Sequence, residues 1–256
     1  MGRSVHWYHL TWPEIEEAAS GGAVVIIPCG SIEQHGLHLP TGTDVLISQG
    51  LAEQLVLAMP NRRFVLAVPI TYAVARPNTP FPGSISICGT TLVALARDVV
   101  AELLRQGFDR ILFLNGHMEG AAFIMEGAEL ALQQWRNGPA GTDRAEPRLV
   151  WCNWWELLEE EMVADILGDR WPGWDAEHAG LTETSLMLYL CPGLVRNFSS
   201  GDHRYQRLPY KILNWPPRTR PPSGSYGDPS GANADIGQRL AEAVVARLRQ
   251  LVEREF

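Results

Sequence analysis

Ala23-Val24-Val25-Ile26-Ile27-Pro28 is a short, unbroken apolar run, entered from Gly21-Gly22 and left at Cys29-Gly30. Continuous hydrophobicity over so few residues, rich in β-branched side chains, predicts a strand buried on both faces. That is the signature of a parallel sheet covered by helices. Upstream, Thr11-Trp12-Pro13-Glu14 predicts a helix start, with Thr11 as cap, Glu14 completing a capping box and proline in the first turn. That helix should end at the glycine pair.

Working outward, the same alternation repeats. Residues 44–59 read as a helix, and Phe64-Val65-Leu66-Ala67-Val68-Pro69-Ile70 as a second buried strand. A Pro- and Gly-rich loop over 71–89 carries Phe81-Pro82-Gly83. Leu92, Leu95, Val99 and Leu103 form the apolar stripe of a helix that stops at Gly107. Arg110-Ile111-Leu112-Phe113-Leu114 is a third strand and residues 120–136 a helix. Leu149-Val150-Trp151-Cys152-Asn153 is a fourth strand, and an acidic helix is expected around 156–161. Residues 138–146, 168–180 and 201–233 read as loops, and 182–190 as a helix. Ile236, Leu240, Val244, Leu248 and Leu251 mark a closing amphipathic helix. The expectation is one α/β domain over 1–256, a mostly parallel sheet with helices on both faces.

Ligands in such folds bind beyond the C-terminal ends of the strands. Two clusters lie there. Glu33-Gln34-His35, with Asp44 further on, follows the first strand, and Asn115-Gly116-His117-Met118-Glu119 follows the third. Carboxylate and imidazole two residues apart in an extended segment point the same way. One such pair is usually a surface accident. Two pairs, both at strand ends and in glycine-rich turns, supply five candidate ligands, Glu33, His35, Asp44, His117 and Glu119. Oxygen and nitrogen donors of this kind suit a divalent cation. Asp44 offers a carboxylate able to bridge two, and a two-metal site suits amide hydrolysis.

His178, among Asp175, Glu177 and Glu183, reads either as a general acid held by Glu183 or Asp175, or as a loop histidine in an acidic patch. Trp174 in an irregular stretch can wall a pocket for a flat ligand. Among Trp151, Trp154 and Trp155, at least one belongs to the core. His6, His9 and His203 have no evident partner, and His38 reads as a loop side chain.

The net charge of −8 gives no electrostatic reason to bind nucleic acid or an anionic membrane. No apolar run reaches the roughly 20 residues of a membrane span. The Met1-Gly2-Arg3 start shows no signal-peptide core, and the four dispersed cysteines lack a C-x-x-C pair. The expectation is a cytoplasmic protein with reduced, mostly buried thiols.

At these residues the chain resembles the creatininase family. Gly30-Ser31-Ile32-Glu33-Gln34-His35-Gly36 with Thr43-Asp44 resembles that family's first metal block. Asn115-Gly116-His117 with Glu119 resembles its second. Gly173-Trp174-Asp175-x-Glu177-His178-x-Gly180 with Glu183-Thr184-Ser185 resembles its third. Phe81-Pro82-Gly83 and Gly227-Asp228-Pro229 are further landmarks. The resemblance implies a creatininase-like αβα sandwich and two divalent ions, zinc or manganese. The ligands would be Glu33, His35, Asp44, His117 and Glu119, with Asp44 bridging. It implies a homo-oligomer, typically a hexamer, and attack of metal-held water on a substrate carbonyl. His178 would protonate the leaving nitrogen, with Glu183 beside it, and Glu119 would double as proton acceptor. Trp174, Asp175 and Trp155, with Trp154 as second choice, would line the substrate pocket.

Two departures stand out. Met118 occupies a place where creatininases carry tyrosine, and it cannot donate a hydrogen bond. Arg76-Pro77-Asn78-Thr79-Pro80 also differs from the usual segment, and Arg76 adds a fixed positive charge. The expected substrate is a small cyclic amide, creatinine (giving creatine) first. The alternatives are a formamide, a peptide-derived cofactor precursor or an oxidised inositol ring. A non-catalytic metal-binding protein on the same fold is a further alternative.

Overall fold

The computed structural model describes residues 4–138, 145–171, 173–199 and 221–256, without the side chains of Asp169 and Asp175. His203, Met1-Gly2-Arg3 and most of the loops expected over 138–146 and 201–233 lie outside the described residues.

Four strands form one all-parallel sheet: β1 (Val24–Cys29), β2 (Phe64–Leu66), β3 (Arg110–Asn115) and β4 (Arg148–Asn153), in the order β2-β1-β3-β4. Seven α-helices lie among the described residues: α1 (Trp12–Ser20), α2 (Thr43–Ala58), α3 (Gly89–Arg105), α4 (Ala121–Asn137), α5 (Glu160–Leu167), α6 (Leu181–Leu190) and α7 (Ala234–Glu255). The sheet separates two apolar layers. Val24 and Ile26 of β1 face one, with residues of α2, α5, α6 and α7. Val25 and Ile27 face the other, with α3 and α4 and the inner side of α1. Every residue of β1 is buried, which is why its sequence shows no polar alternation. The fold is the expected α/β sandwich.

Local chemistry sets several boundaries. The Glu14 carboxylate accepts the Thr11 N–H at 2.8 Å and starts α1. Asn233 caps α7, its side-chain oxygen accepting from Ile236 N–H at 2.9 Å. The second strand is shorter than its apolar run because Pro69 has no N–H for the ladder. Ala67 and Ile70 still bond to β1 carbonyls, but Val68 is exposed. The buried stripe of α3 is Leu92, Ala96, Val100 and Leu103–Leu104, and Leu95 is exposed. The expected stripe stepped by three to Leu95, whereas the helix buries the position one further on, nearer its 3.6-residue period. In α7, Val252 is buried and Leu251 only half-buried. The acidic helix begins later than expected: Trp154–Leu157 is a 3-10 turn that tucks both tryptophans inward, and α5 starts at Glu160.

The connections from β1 and β3 diverge, because β2 lies on one side of β1 and β3 on the other. Cys29 and Asn115, the last residues of those strands, are register partners. The crevice at such a reversal of strand order is where this architecture places ligands.

Candidate metal centre

Asp44 stands in the first turn of α2 and is fully buried between the two strand-end loops. Two glycines make room for it. A Cβ on Gly30 would lie 2.6 Å from Val45 N, and one on Gly116 would lie 2.5 Å from Asp44 O. The helix N-terminus also favours a carboxylate there.

The Asp44 carboxylate lies between two imidazoles. Its Oδ1 is 2.8 Å from His35 Nε2, and its Oδ2 is 3.0 Å from His117 Nδ1. The far nitrogen of each ring already has a backbone carbonyl to donate to. His35 Nδ1 lies 3.1 Å from Glu33 O, and His117 Nε2 lies 2.8 Å from Val74 O. Each neutral ring therefore turns a bare lone pair toward a carboxylate. Such a contact needs a cation between the two groups, or an extra proton on the ring. Consistently, Glu33 Oε2, His35 Nε2 and Asp44 Oδ2 are buried without a hydrogen-bond partner.

Without a cation, the protons show the strength of this field. Burial alone would depress His35, but Asp44 and Glu183 beside it raise it to about 10. His117 is likewise raised by Glu33 and Asp44 against the effect of burial. Burial pushes the other way on Asp44, yet the two imidazoles hold it below the usual carboxylate range.

Two ligand sets emerge, each with its donor atoms within 4.8 Å of one another: Glu33, Asp44 and His117; and His35, Asp44 and Glu183. They share Asp44. Carboxylate oxygen with imidazole nitrogen fits zinc or manganese. A third set joins Glu33, His35 and His178. Glu119 stands apart: its Oε2 is 3.4 Å from His117 Nε2, on the ring edge that faces Val74, and its side chain is exposed. Glu183 lies in the first turn of α6, 3.8 Å from His35 Nε2, and accepts the Ala179 N–H at 2.6 Å. Burial raises its carboxyl to about 8. The turn into α6 passes through Ala179 at φ 53, a left-handed conformation that costs a non-glycine residue roughly 1 kcal/mol.

His178 sits above this floor. Its Nδ1 is 3.8 Å from Glu33 Oε1 and its ring centroid 4.4 Å from that of His35. Burial lowers it to about 4, helped by the neighbouring His35. The carboxylate beside His178 Nδ1 is that of Glu33, whereas the sequence offers Glu183 or Asp175 as the holder of this ring; the Asp175 side chain lies outside the described residues. Trp154 meets Trp174 edge-on at 5.6 Å and Trp155 edge-on at 5.8 Å, and both Trp154 and Trp155 are buried. Asp175 is on the 3-10 turn Trp174–Ala176. Met118 is exposed beside His117.

Three groups escaped the sequence reading. Val74 contributes only a backbone carbonyl, which no side-chain pattern can signal. Gln34 bonds to Asn78 Oδ1 and Gly224 O, both at 2.9 Å. His38 is buried, its Nε2 2.8 Å from Thr184 Oγ1, rather than being a loose loop side chain. The cysteines are free: Cys29 and Cys152 are buried, Cys191 is half-buried and Cys88 is exposed. No helix among the described residues is long and apolar enough to cross a membrane.

A sequence profile for creatininase, described as creatinine amidohydrolase, matches residues 8–252. The chain is 31% identical to a creatinine amidohydrolase of Pseudomonas putida over 100% of this chain and 99% of that protein. It is also 31% identical to a mycofactocin precursor peptide peptidase of Mycolicibacterium smegmatis, over 87% of this chain and 81% of the other. Among solved structures, a mutant creatininase of Zn–Zn type matches with a TM-score of 0.88 at 29% identity, covering 100% of this chain and 99% of that one.

Proposed function

Because the chain belongs to the creatininase family of hydrolases, we propose that it is a binuclear metal-dependent amidohydrolase that cleaves a C–N amide bond of a small cyclic amide, with creatinine the first candidate. The observation that carries this reading is the pair of ligand sets sharing Asp44, in which two imidazole lone pairs face one buried carboxylate.

Glu33, Asp44 and His117 would hold one divalent ion, and His35, Asp44 and Glu183 would hold the other. Glu119 is the ligand the family resemblance adds. Bound ions, zinc or manganese, supply Lewis acidity and ease ionisation of water. The protein's own groups do the rest. Trp174 walls the substrate on one side, and the buried Trp154 and Trp155 stiffen that wall. As the C–O bond forms, the proton of the attacking water passes to a base on the rim, Glu119 or His178. As the C–N bond breaks, His178 delivers a proton to the departing nitrogen. The reading takes residues 1–256 as one domain that forms a homo-oligomer, a hexamer by resemblance, in the cytoplasm. Its partners are small amides, with neither nucleic acid nor membrane.

A second reading keeps the chemistry and changes the substrate. Met118 offers no hydrogen-bond donor to a polar ring, and Arg76 has no carboxylate partner among the described residues. Both features suit a larger or anionic amide, such as a peptide-derived one. The deciding experiment measures metal content without chelator, then turnover of creatinine beside a panel of lactams, imides, formamides and short peptides. Two ions per chain and creatine formation support the first reading; activity on another amide selects the second. Protein that stays metal-free and inert after Zn²⁺ or Mn²⁺ addition overturns both.

A further inference from the structure

Gln34 stands between Glu33 and His35, and its side chain is buried. Its Oε1 accepts the Gly36 N–H at 2.9 Å, which settles which end of the amide is oxygen. Its Nε2 donates to Asn78 Oδ1 and to Gly224 O, both at 2.9 Å. A primary amide has two N–H donors, so both are engaged.

His178 Nε2 lies 2.9 Å from that same amide nitrogen and 2.8 Å from the main-chain oxygen of Gln34. With its two N–H groups engaged, Gln34 has none left to offer the imidazole. The main-chain oxygen can only accept. The arrangement is satisfied when His178 Nε2 carries the hydrogen and donates it to Gln34 O. Nδ1 then keeps its lone pair, on the side facing Glu33 Oε1.

We infer that Gln34 and Asn78 are a positioning pair that holds His178 in its Nε2–H tautomer and presents a bare Nδ1 to the reaction. The inference rests on the proposed role of His178 in proton transfer. Nδ1 takes the proton of the attacking water as the C–O bond forms. It returns that proton to the leaving nitrogen as the C–N bond breaks, and the ring ends neutral. The opposite tautomer would have to lose a proton before accepting one there.

Asn78 ends the 3-10 turn Arg76–Asn78 and is buried. The turn is braced by Asn78 N–H on Ala75 O and Phe81 N–H on Asn78 O, both 3.0 Å. Val74, just upstream, accepts from His117 Nε2. One short segment therefore sets the hydrogen of two site histidines. Asn78, though not Val74, falls within the 76–80 stretch in which the sequence departs from the family pattern, and this gives that departure a consequence for the proton of His178.

The test uses the full chain loaded with zinc and labelled with ¹⁵N-histidine. Two-bond ¹H–¹⁵N spectra report which nitrogen of each ring bears hydrogen, and a His178→Gln variant identifies the His178 signals. The Nε2–H pattern is expected in the unaltered protein. Asn78→Ala frees one Gln34 N–H to donate to His178 Nε2, so the Nδ1–H form should rise and kcat should fall about tenfold or more. KM should stay within roughly threefold and metal content should not change. Asn78→Asp keeps an acceptor for Gln34 and should keep the original tautomer. If Asn78→Ala does not fold, Asn78→Leu withdraws the acceptor with less loss of packing. An Nδ1–H pattern in the unaltered protein, or an unmoved tautomer in the Ala and Leu variants, overturns the inference. A protein that shows the Nε2–H pattern yet hydrolyses no amide sinks the proposed function and leaves the positioning role standing.

Discussion

Glu33, His35, Asp44 and His117 are each at most 3% exposed, while Met118 and Glu119, next along the chain from His117, are 46% and 38% exposed. The change from floor to rim takes one residue. Floor side chains leave strand ends and helix first turns wedged between two apolar layers, and their imidazoles are fixed from behind by carbonyls. Rim side chains hang from turns with water on one side. Deeply packed positions cannot shift without opening a void or stranding a charge. Rim positions can change at little cost. The floor therefore dictates the reaction, and the rim chooses what enters it.

The largest effect should come from the shared floor residue. Asp44→Ala is expected to lower kcat/KM by more than ~10³-fold, beyond the ~10–100-fold of a residue behind a ligand. Elemental analysis should find fewer than two ions per chain. Retention of both would break the distinction at its strongest point. His178→Gln should keep its metal and lose ~10²–10⁴-fold in kcat, since only proton transfer is removed.

Stripping the ions should destabilise the whole domain, because the floor then keeps its carboxylates with no cation between them. A loss of about 3–4 kcal/mol follows for ligand at 100- to 1,000-fold over its Kd. That lowers Tm by roughly 5–15 °C, recoverable with Zn²⁺ or Mn²⁺. An unchanged melting curve would mean that the floor holds no metal.

Glu177 tests the floor away from the ions. Its Oε2 accepts from Thr182 N and Oγ1, its Oε1 has no partner, and burial raises its carboxyl from 4.5 to about 7. Between those values the unfolded chain has released its proton while the folded one retains it. Stability from this group therefore falls as pH rises from about 4.5 to 7 and is level above. Glu177→Gln should flatten that slope and gain ~1–3 kcal/mol at pH 8 in denaturant melts. The smallest effect belongs to the rim. Met118→Tyr should alter the preference between creatinine and other amides by about tenfold or less, the scale of one pocket contact, with metal content intact.

The sequence exposes the floor well because its signals are local. An apolar run marks β1, and Glu33-x-His35 and His117-x-Glu119 follow strand ends. It does not disclose Glu183 as a neighbour of His35, because packing of α6 against α2 creates that contact across a long stretch of chain. Nor can it disclose Val74 or the main-chain oxygen of Gln34, since a backbone carbonyl leaves no mark in residue type. The rim is hardest to read, as Trp154 and Trp155 differ in their access to Trp174 only through the 3-10 turn that carries them. Leu95 departs from the expected stripe for a simpler reason: the helix buries Ala96, the fourth residue on from Leu92, instead of the third.

Gly30 and Gly116 press the backbone of Asp44 from two sides with no side chain between. The depth of the shared carboxylate is thus gauged by main-chain contact and is indifferent to what happens on the rim. A lineage can try new pocket walls one substitution at a time without passing through an ancestor whose buried carboxylate has been displaced.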